Sequence, residues 1–146
     1  MYGKNKYTAV GVEEKLALID ISNIPNREGQ FLRNELIDRF YRDGRPGHTI
    51  YTLSITPITE RRANLDVTTE SDSTRAQLRL NSSFTLTSKQ NGEAVLQRNL
   101  HAISSYNVLN SEFATRVSEE NARQNALYDL ARQIEQQINL YLKHTQ

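Results

Sequence analysis

Residues 74–87 read TRAQLRLNSSFTLT, and this stretch decides the fold. Its apolar side chains share one side of an extended chain and are Ala76, Leu78, Leu80, Phe84 and Leu86. A repeat of two residues is typical of a β-strand with one buried and one solvent-facing side. The stretch therefore predicts a sheet with one covered face and one open face.

Segments on both sides of this stretch extend the sheet. After it, KQNGE at 89–93 contains an Asn-Gly pair, a strong hairpin signal, and predicts a return strand over 94–106. Before it, TIYTLSITPI at 49–58 alternates in the same way. Pro57 cannot donate to a ladder, so that strand either lies at an edge or is interrupted before residues 60–69 resume it.

A strand and a helix are predicted ahead of these segments. KLALIDI at 15–21 is mostly apolar and predicts a short strand that is interior or covered. REGQFLRNELIDRFYRDG then predicts a helix over about 27–43. Asn26 is its expected N-cap, and Gly44 stands where a left-handed residue ends a helix.

The last predicted helix covers about 111–142, with Ser111 as its cap, and has a length of about 48 Å. Its predicted buried stripe consists of Phe113, Val117, Leu127, Ala131, Ile134 and Ile138. Residues 140–142 are expected to extend past the core. This helix is long for a domain whose radius of gyration should be about 15 Å.

These elements predict an α+β fold. Only one sheet face is apolar, so both helices are expected to cover that face. The prediction is a single domain over 1–146: a two-layer α/β sandwich with a mixed, mainly antiparallel sheet of about four strands. Residues 1–14 are expected to be irregular.

Three residues of the first helix interrupt its pattern. Gly29 lies in the arc that should face the sheet, and its predicted role is close packing, since a phosphate-binding loop would need several glycines. Arg33 lies in the same arc and either pairs with Asp20 or extends to the rim. Phe31 lies on the polar side and either folds back onto residues 24–25, the favoured interpretation, or is exposed for a partner.

Composition and motifs argue against several classes of function. The 18 basic and 17 acidic residues give a net charge of +1, without the basic field typical of nucleic-acid binders. The chain has no cysteine, and the segment as given is expected to be soluble because no apolar run reaches about 20 residues. His48, His101 and His144 lack the spacing of metal ligands. No catalytic motif is present, so no enzyme, metal or cofactor is predicted.

The open sheet face is the candidate functional surface. Its hydroxyl and amide side chains, predicted to form a partner-docking face, are Thr52, Ser54, Thr56, Gln77, Asn81, Ser83, Thr85, Gln97 and Asn99. Few aromatic rings accompany them, which argues against binding of single-stranded nucleic acid. The face is either an ordinary solvated surface or one that docks in a polar environment.

The chain resembles the lipopolysaccharide-assembly lipoproteins of the Gram-negative outer membrane, the LptE or RlpB-like family in its alphaproteobacterial form. The segments that carry the resemblance are MYG at 1–3, IPNREGQFLRNELID at 24–38, YTLSI at 51–55, STRAQLRLNSSFTL at 73–86, SYNVLNSEFA at 105–114 and NALYDLARQI at 125–134. In that family a lipid-bearing cysteine normally stands just before the YG pair, behind a signal peptide. Neither is in this sequence, so the expectation is a mature chain without its anchor.

The resemblance implies a function as well as a fold. It implies a lipid-anchored protein at the periplasmic side of the outer membrane, which docks as a plug in the lumen of the barrel that inserts lipopolysaccharide. It also implies direct contact with lipopolysaccharide. The alternative is a periplasmic adaptor or scaffold that binds protein but no lipid.

Four arginines are the candidates for lipopolysaccharide phosphates, on the basis of their positions alone. Arg75 and Arg79 lie on the polar side of the same strand, and Arg61 and Arg62 precede that strand. Phosphate groups are bound well by paired guanidinium groups.

Overall fold

The computed structural model describes residues 15–42, 44, 47–67 and 74–144, so the expectation for residues 1–14 lies outside the described part. In chain order the elements are β1 (Ile19–Ile21), α1 (Asn26–Phe40), β2 (Tyr51–Ile55), β3 (Thr59–Val67), β4 (Thr74–Ser88), β5 (Ala94–Val108) and α2 (Glu112–His144). In the part of the chain that the structure describes, these two long helices and a mixed sheet of five strands confirm the predicted α+β sandwich.

Strand β4 is the centre of the sheet. It pairs antiparallel with β5 along its whole length, from Thr74 opposite Val108 to Thr87 opposite Ala94. Strands β2 and β3 lie end to end along its other side. Strand β1 is parallel to β2, and this pair makes the sheet mixed.

The break between β2 and β3 occurs at Pro57, as one of the two predicted alternatives required. The Thr56 amide still donates to the carbonyl of Ser83 at 2.9 Å, and the Ser82 hydroxyl donates to the carbonyl of Thr56 at 2.8 Å. Because these bonds hold the chain beside β4, β3 resumes on the same side after the proline.

The first strand is shorter and less central than predicted. Lys15 and Leu16 are helical, residues 17–18 form a turn, and only Ile19–Ile21 is a strand. The Ile50 amide donates a hydrogen bond to the carbonyl of Leu18 in this turn. Strand β1 pairs only with β2 among the described residues and therefore lies at an edge of the sheet.

Helix α1 differs from its prediction at both ends. Pro25 is the N-cap and makes no side-chain cap bond, whereas Asn26 is the first helical residue, with a φ of 72°. The helix ends at Phe40, three residues early, with Tyr41 already in a non-helical backbone conformation. The Tyr41 hydroxyl donates to the carbonyl of Ile19 at 2.6 Å. Gly44 has the left-handed backbone that was predicted, with a φ of 106°.

Helix α2 is buried along its later part, and the stripe prediction was wrong at both ends. Its buried residues are Ala122, Ala126, Leu127, Leu130, Ala131, Ile134, Ile138 and Leu142. Phe113 is 76% exposed and Val117 is 45% exposed, whereas Leu142 is only 1% exposed. The reason is that α1 packs beside the later turns of α2, and Lys15 donates to the carbonyl of Leu142. The first turns of α2 therefore extend past the core.

The three irregular residues of α1 each contact another part of the chain. A Cβ atom on Gly29 would lie 2.6 Å from Ile24 Cγ2 and 2.7 Å from the Ile24 carbonyl oxygen, so the helix passes closely over its own entry segment. Phe31 packs edge-on against the Tyr128 ring of α2 at a centroid distance of 5.3 Å. The contact with Tyr128 was not predicted. Phe31 is also packed, partly buried, against the core that includes Ile24, and it is therefore not a fully exposed ring.

The hypothetical Arg33–Asp20 pair does not form. The Arg33 guanidinium donates two hydrogen bonds to the carbonyl of Ile21, at 3.2 and 3.3 Å. Asp20 points to the opposite side of the short strand and accepts from Lys89 Nζ at 3.3 Å. Arg33 still joins helix to strand, but it does so through a backbone acceptor.

Candidate functional site

The sheet face opposite the helices is open, as the alternation in β4 predicted. The helices bury Ala76, Leu78, Leu80, Phe84 and Leu86 on the other face. Eight of the nine predicted docking residues lie on open-face positions of β2, β4 and β5, and Thr56 follows β2. None of the nine is buried. Hydroxyls and amides are thus displayed on three adjacent strands.

Two arginines face each other at the centre of this surface. Arg61 of β3 lies directly opposite Arg79 of β4, and Ile103 of β5 lies opposite Arg79 on its other side. Both guanidinium side chains are exposed, and neither forms an ion pair with any carboxylate of the described residues. Like charges that are directly opposed across strands destabilise a sheet. An anion bound between them would remove that cost.

A shallow depression marks the same place. It has a volume of about 360 Å³ and is lined by Arg61, Arg62, Ala63, Gln77, Arg79 and Ile103. Two guanidinium groups at its wall provide paired donors in the planar form that suits phosphate oxygens. We call the opposed Arg61 and Arg79 the arginine pair.

Arg75 lies on the same face but farther along β4, opposite Asn107 of β5. It lies four residue steps along the strand from Arg79, which corresponds to about 13 Å. Gln77 lies between them on the same face. Arg75 is therefore a separate cation on the open face and is not part of the arginine pair.

Arg62 does not belong to the open face. It lies opposite Leu78, whose side chain is buried under the helices. Its guanidinium pairs with Glu119 at 3.0 Å and with Glu60 at 3.7 Å. Adjacent strand residues point to opposite faces, so although Arg62 borders the depression, its guanidinium is bound by carboxylates on the helix side.

An ion cluster on the helix side was not predicted. Arg123 of α2 contacts Glu60 of β3 through two hydrogen bonds, at 2.7 and 2.9 Å, and also contacts Glu119 and Glu120 at 2.6 Å each. The hydrogen bond from Arg123 lowers the pKa of the Glu60 carboxyl below its usual value. Only the spacings of three and four residues from Glu120 and Glu119 to Arg123 hint at it in the sequence. The cluster fastens α2 to β3.

A second depression, of about 280 Å³, lies between α1 and the segment before β2. Asp20, Arg33, Tyr41 and His48 are among its lining residues. No group of three His, Asp or Glu side chains in the described part of the chain could hold a metal ion. No described helix is long and apolar enough to cross a bilayer.

The fold and this surface define an α+β sandwich that displays one polar, arginine-bearing sheet face. Residues 16–142 match the LptE family, which is described as lipopolysaccharide-assembly. The match covers most of the chain, and the chain therefore belongs to the LptE family. The resemblance suggested by its sequence segments is thereby confirmed.

Solved structures share the fold. A Caulobacter crescentus protein is 22% identical, with a TM-score of 0.73 over 93% of this chain and 98% of that chain. A minor lipoprotein from Acinetobacter baumannii is 23% identical, with a TM-score of 0.62 over 84% and 90%. Rare lipoprotein B from Shewanella oneidensis is 14% identical, with a TM-score of 0.63 over 86% and 97%. Comparison with curated protein sequences gives no match.

Proposed function

We propose that this chain is a non-enzymatic component of lipopolysaccharide assembly, at the periplasmic side of the outer membrane and attached by a lipid anchor. It docks in the lumen of the barrel that inserts lipopolysaccharide, and it binds lipopolysaccharide phosphates. The observation that carries the phosphate contact is the arginine pair, whose positive charges no carboxylate of the described residues neutralises.

The chemistry of the open face supports docking into a barrel. Lumens of large outer-membrane barrels are polar. The face presents Ser54, Thr85, Gln97 and Asn99 at positions that no helix covers. Such side chains exchange hydrogen bonds with a polar wall and require no apolar partner surface.

The arginine pair supports recognition of phosphate. Each guanidinium offers a planar set of donors, and two such groups on facing strands surround an anion from two sides. Ile103 beside Arg79 is 46% exposed and adds an apolar contact next to the cations. A phosphate group attached to a hydrocarbon-bearing lipid has both properties, and Arg75 is a second cation on the same face.

Lipopolysaccharide binding by the purified chain tests this assignment. Arg61→Gln with Arg79→Gln should weaken binding about tenfold or more, since a hydrogen bond to a charged group contributes about 1.5–3 kcal/mol. Arg116→Gln with Arg132→Gln removes the same charge from exposed positions of α2 and is the matched control. Binding should also weaken with added salt and with dephosphorylated lipopolysaccharide. Equal affinity of the two double variants contradicts the phosphate assignment.

Co-purification with the detergent-solubilised barrel tests the docking. Thr85→Trp with Gln97→Trp places two large rings on the open face and should abolish co-purification. Asn121→Trp with Asn125→Trp puts the same rings on exposed positions of α2 and should leave it intact. If both variants co-purify, the open face is not the docking face. A chain that docks but binds no lipopolysaccharide would be the adaptor of the alternative interpretation.

A further inference from the structure

We propose that the outer edge of β5 from Ile103 to Asn107 adds a strand from the barrel partner to this sheet. We call this segment the β5 outer edge. The inference rests on the proposed function, because that function supplies the partner. The binding mode is new: backbone hydrogen bonds between an extended segment of the barrel and the edge, beside the side-chain contacts of the open face.

The direction of the backbone groups follows from the pairing register. Odd-numbered residues of β4 point their backbone toward β2 and β3, as the Ser83 carbonyl shows by accepting from Thr56. Even-numbered residues of β4 therefore bond to the even-numbered residues of β5, such as Leu80 to Ala102. Residues 103, 105 and 107 of β5 consequently direct both their amides and their carbonyls outward.

Side chains already cover the earlier part of the same edge. Arg98 donates to the outward carbonyl of Gln97 at 2.7 Å. Gln133 of α2 donates to the outward carbonyl of His101 at 2.9 Å. Among the described residues, none forms a hydrogen bond to the backbone of Ile103, Ser105 or Asn107 from the outer side.

The other edges carry the devices that prevent strand addition. Strand β1 is only three residues long. Strand β3 has charged residues at Glu60, Arg61 and Arg62 and an irregular register between Asn64 and Asp66. Charges, bulges and short length are the usual protections of an edge. The β5 outer edge has none of these protections. It belongs to a strand of 15 residues, its register with β4 is regular from Leu96 to Val108, and residues 99–111 contain no Asp, Glu, Lys or Arg.

The chemistry of the surroundings identifies the occupant as an extended polypeptide. A row of alternating donors and acceptors repeating about every 6.8 Å is matched by the backbone of another strand. Apolar side chains border the row: Ile103 on the open face, and Leu109, Phe113 and Val117 beyond its end, exposed by 42, 76 and 45%. A segment with alternate apolar residues suits both features.

The barrel is favoured as its source because the edge borders the proposed docking face. Ile103, Ser105 and Asn107 place their side chains on that face, in register with Arg79, Gln77 and Arg75. A partner that covers the open face therefore reaches the β5 outer edge without a second docking event.

Amide hydrogen exchange on the anchored protein bound to the detergent-solubilised barrel tests the proposal. Exchange proceeds in the complex, is quenched, and is read by NMR after dissociation. In the free chain the amides of Ser104 and Tyr106 should be protected by β4, and those of Ile103, Ser105 and Asn107 should exchange rapidly. In the complex the three odd-numbered amides should slow about 100-fold or more. A complex in which they stay fast overturns strand addition alone, whereas failure to form any complex overturns the proposed function as well.

Two single substitutions by proline, one in each part of the β5 edge, provide matched variants. Ser105→Pro removes an outward amide from the uncovered edge, whereas His101→Pro removes one from the covered part, where Gln133 already bonds to the His101 carbonyl. Ser105→Pro should weaken the complex about tenfold, and His101→Pro should leave it unchanged. If Ser105→Pro does not fold, Ser105→Lys places a charge at the same position and should weaken the complex in the same way. Concentration-dependent dimerisation of the isolated chain with protection of the same three amides would assign the edge to a second copy and overturn the barrel assignment.

Discussion

Replacing Gly29 by alanine should destabilise the protein, although alanine is the better helix former. The added Cβ would lie 2.6 Å from Ile24 Cγ2, 2.7 Å from the Ile24 carbonyl oxygen and 2.8 Å from its carbonyl carbon. Two of these three atoms belong to the backbone, so a rotamer change at Ile24 cannot relieve the overlap. The helix or its entry segment has to move.

The expected loss in the free energy of unfolding follows from two opposing effects of the added methyl group. Overpacking a buried site costs about 1–3 kcal/mol, and a contact with backbone belongs at the upper end of that range. Glycine to alanine inside a helix contributes about 1 kcal/mol in the other direction. The expected net loss is about 2 kcal/mol, which lowers the melting temperature of a chain of this size by about 4–8 °C.

Urea unfolding followed by far-UV circular dichroism measures this loss. Gly47→Ala is the control, because a Cβ at Gly47 meets no atom within 4 Å. That substitution should be neutral or stabilise by up to about 1 kcal/mol through the unfolded state. A Gly29→Ala protein as stable as wild type, with an unchanged urea dependence, would refute the close-packing argument for this residue.

Two further contacts give stability predictions. Arg123→Met should cost about 1–3 kcal/mol in urea unfolding, because Glu60, Glu119 and Glu120 lose a cation that contacts all three of them. The pKa of Glu60 is lowered in the folded state, so its contribution to stability is present above the ordinary carboxyl pKa of 4.5 and is lost as the pH falls through the lower pKa of the folded state. The variant should therefore lose less stability than wild type on acidification, and an identical loss would contradict this role. A double-mutant cycle of Phe31→Ala and Tyr128→Ala should give a coupling energy of about 0.5–1.5 kcal/mol, and additivity would show that the ring contact contributes nothing.

Strands and helices differed in how well the sequence predicted them. In β4 each side chain either enters the core or faces solvent, so alternation defines the strand and its faces together. In α2 the periodicity defines a helical stripe but contains no information on where the sheet and α1 end. Phe113 and Val117 continue the stripe in sequence yet lie beyond the packed region. Their exposure depends on the position of α1 along α2, which is a tertiary property.

The arginines of the candidate site also depend on tertiary structure that sequence periodicity does not contain. Alternation alone placed Arg75 and Arg79 on the open face. It also required Arg61 and Arg62 to point to opposite faces, but which of them shares the face of Arg79 depends on the register of β3 after Pro57. The Arg33–Asp20 hypothesis was wrong because the Arg33 guanidinium donates to the backbone carbonyl of Ile21, whereas Asp20 accepts from Lys89.

The ion cluster and the candidate site are mechanically connected through β3. Glu60 and Arg62 face the helix side, where Arg123 and Glu119 bind them, and each of these pairings holds Arg61 on the opposite face. Because β3 is an edge strand that follows a proline break, its own ladder to β4 leaves its orientation less constrained than that of a central strand. The β4 ladder places Arg61 opposite Arg79, and fastening β3 to α2 by charge adds a second restraint on the orientation of β3. The cationic surface on the open face is thus supported in part by carboxylates that lie on the covered one.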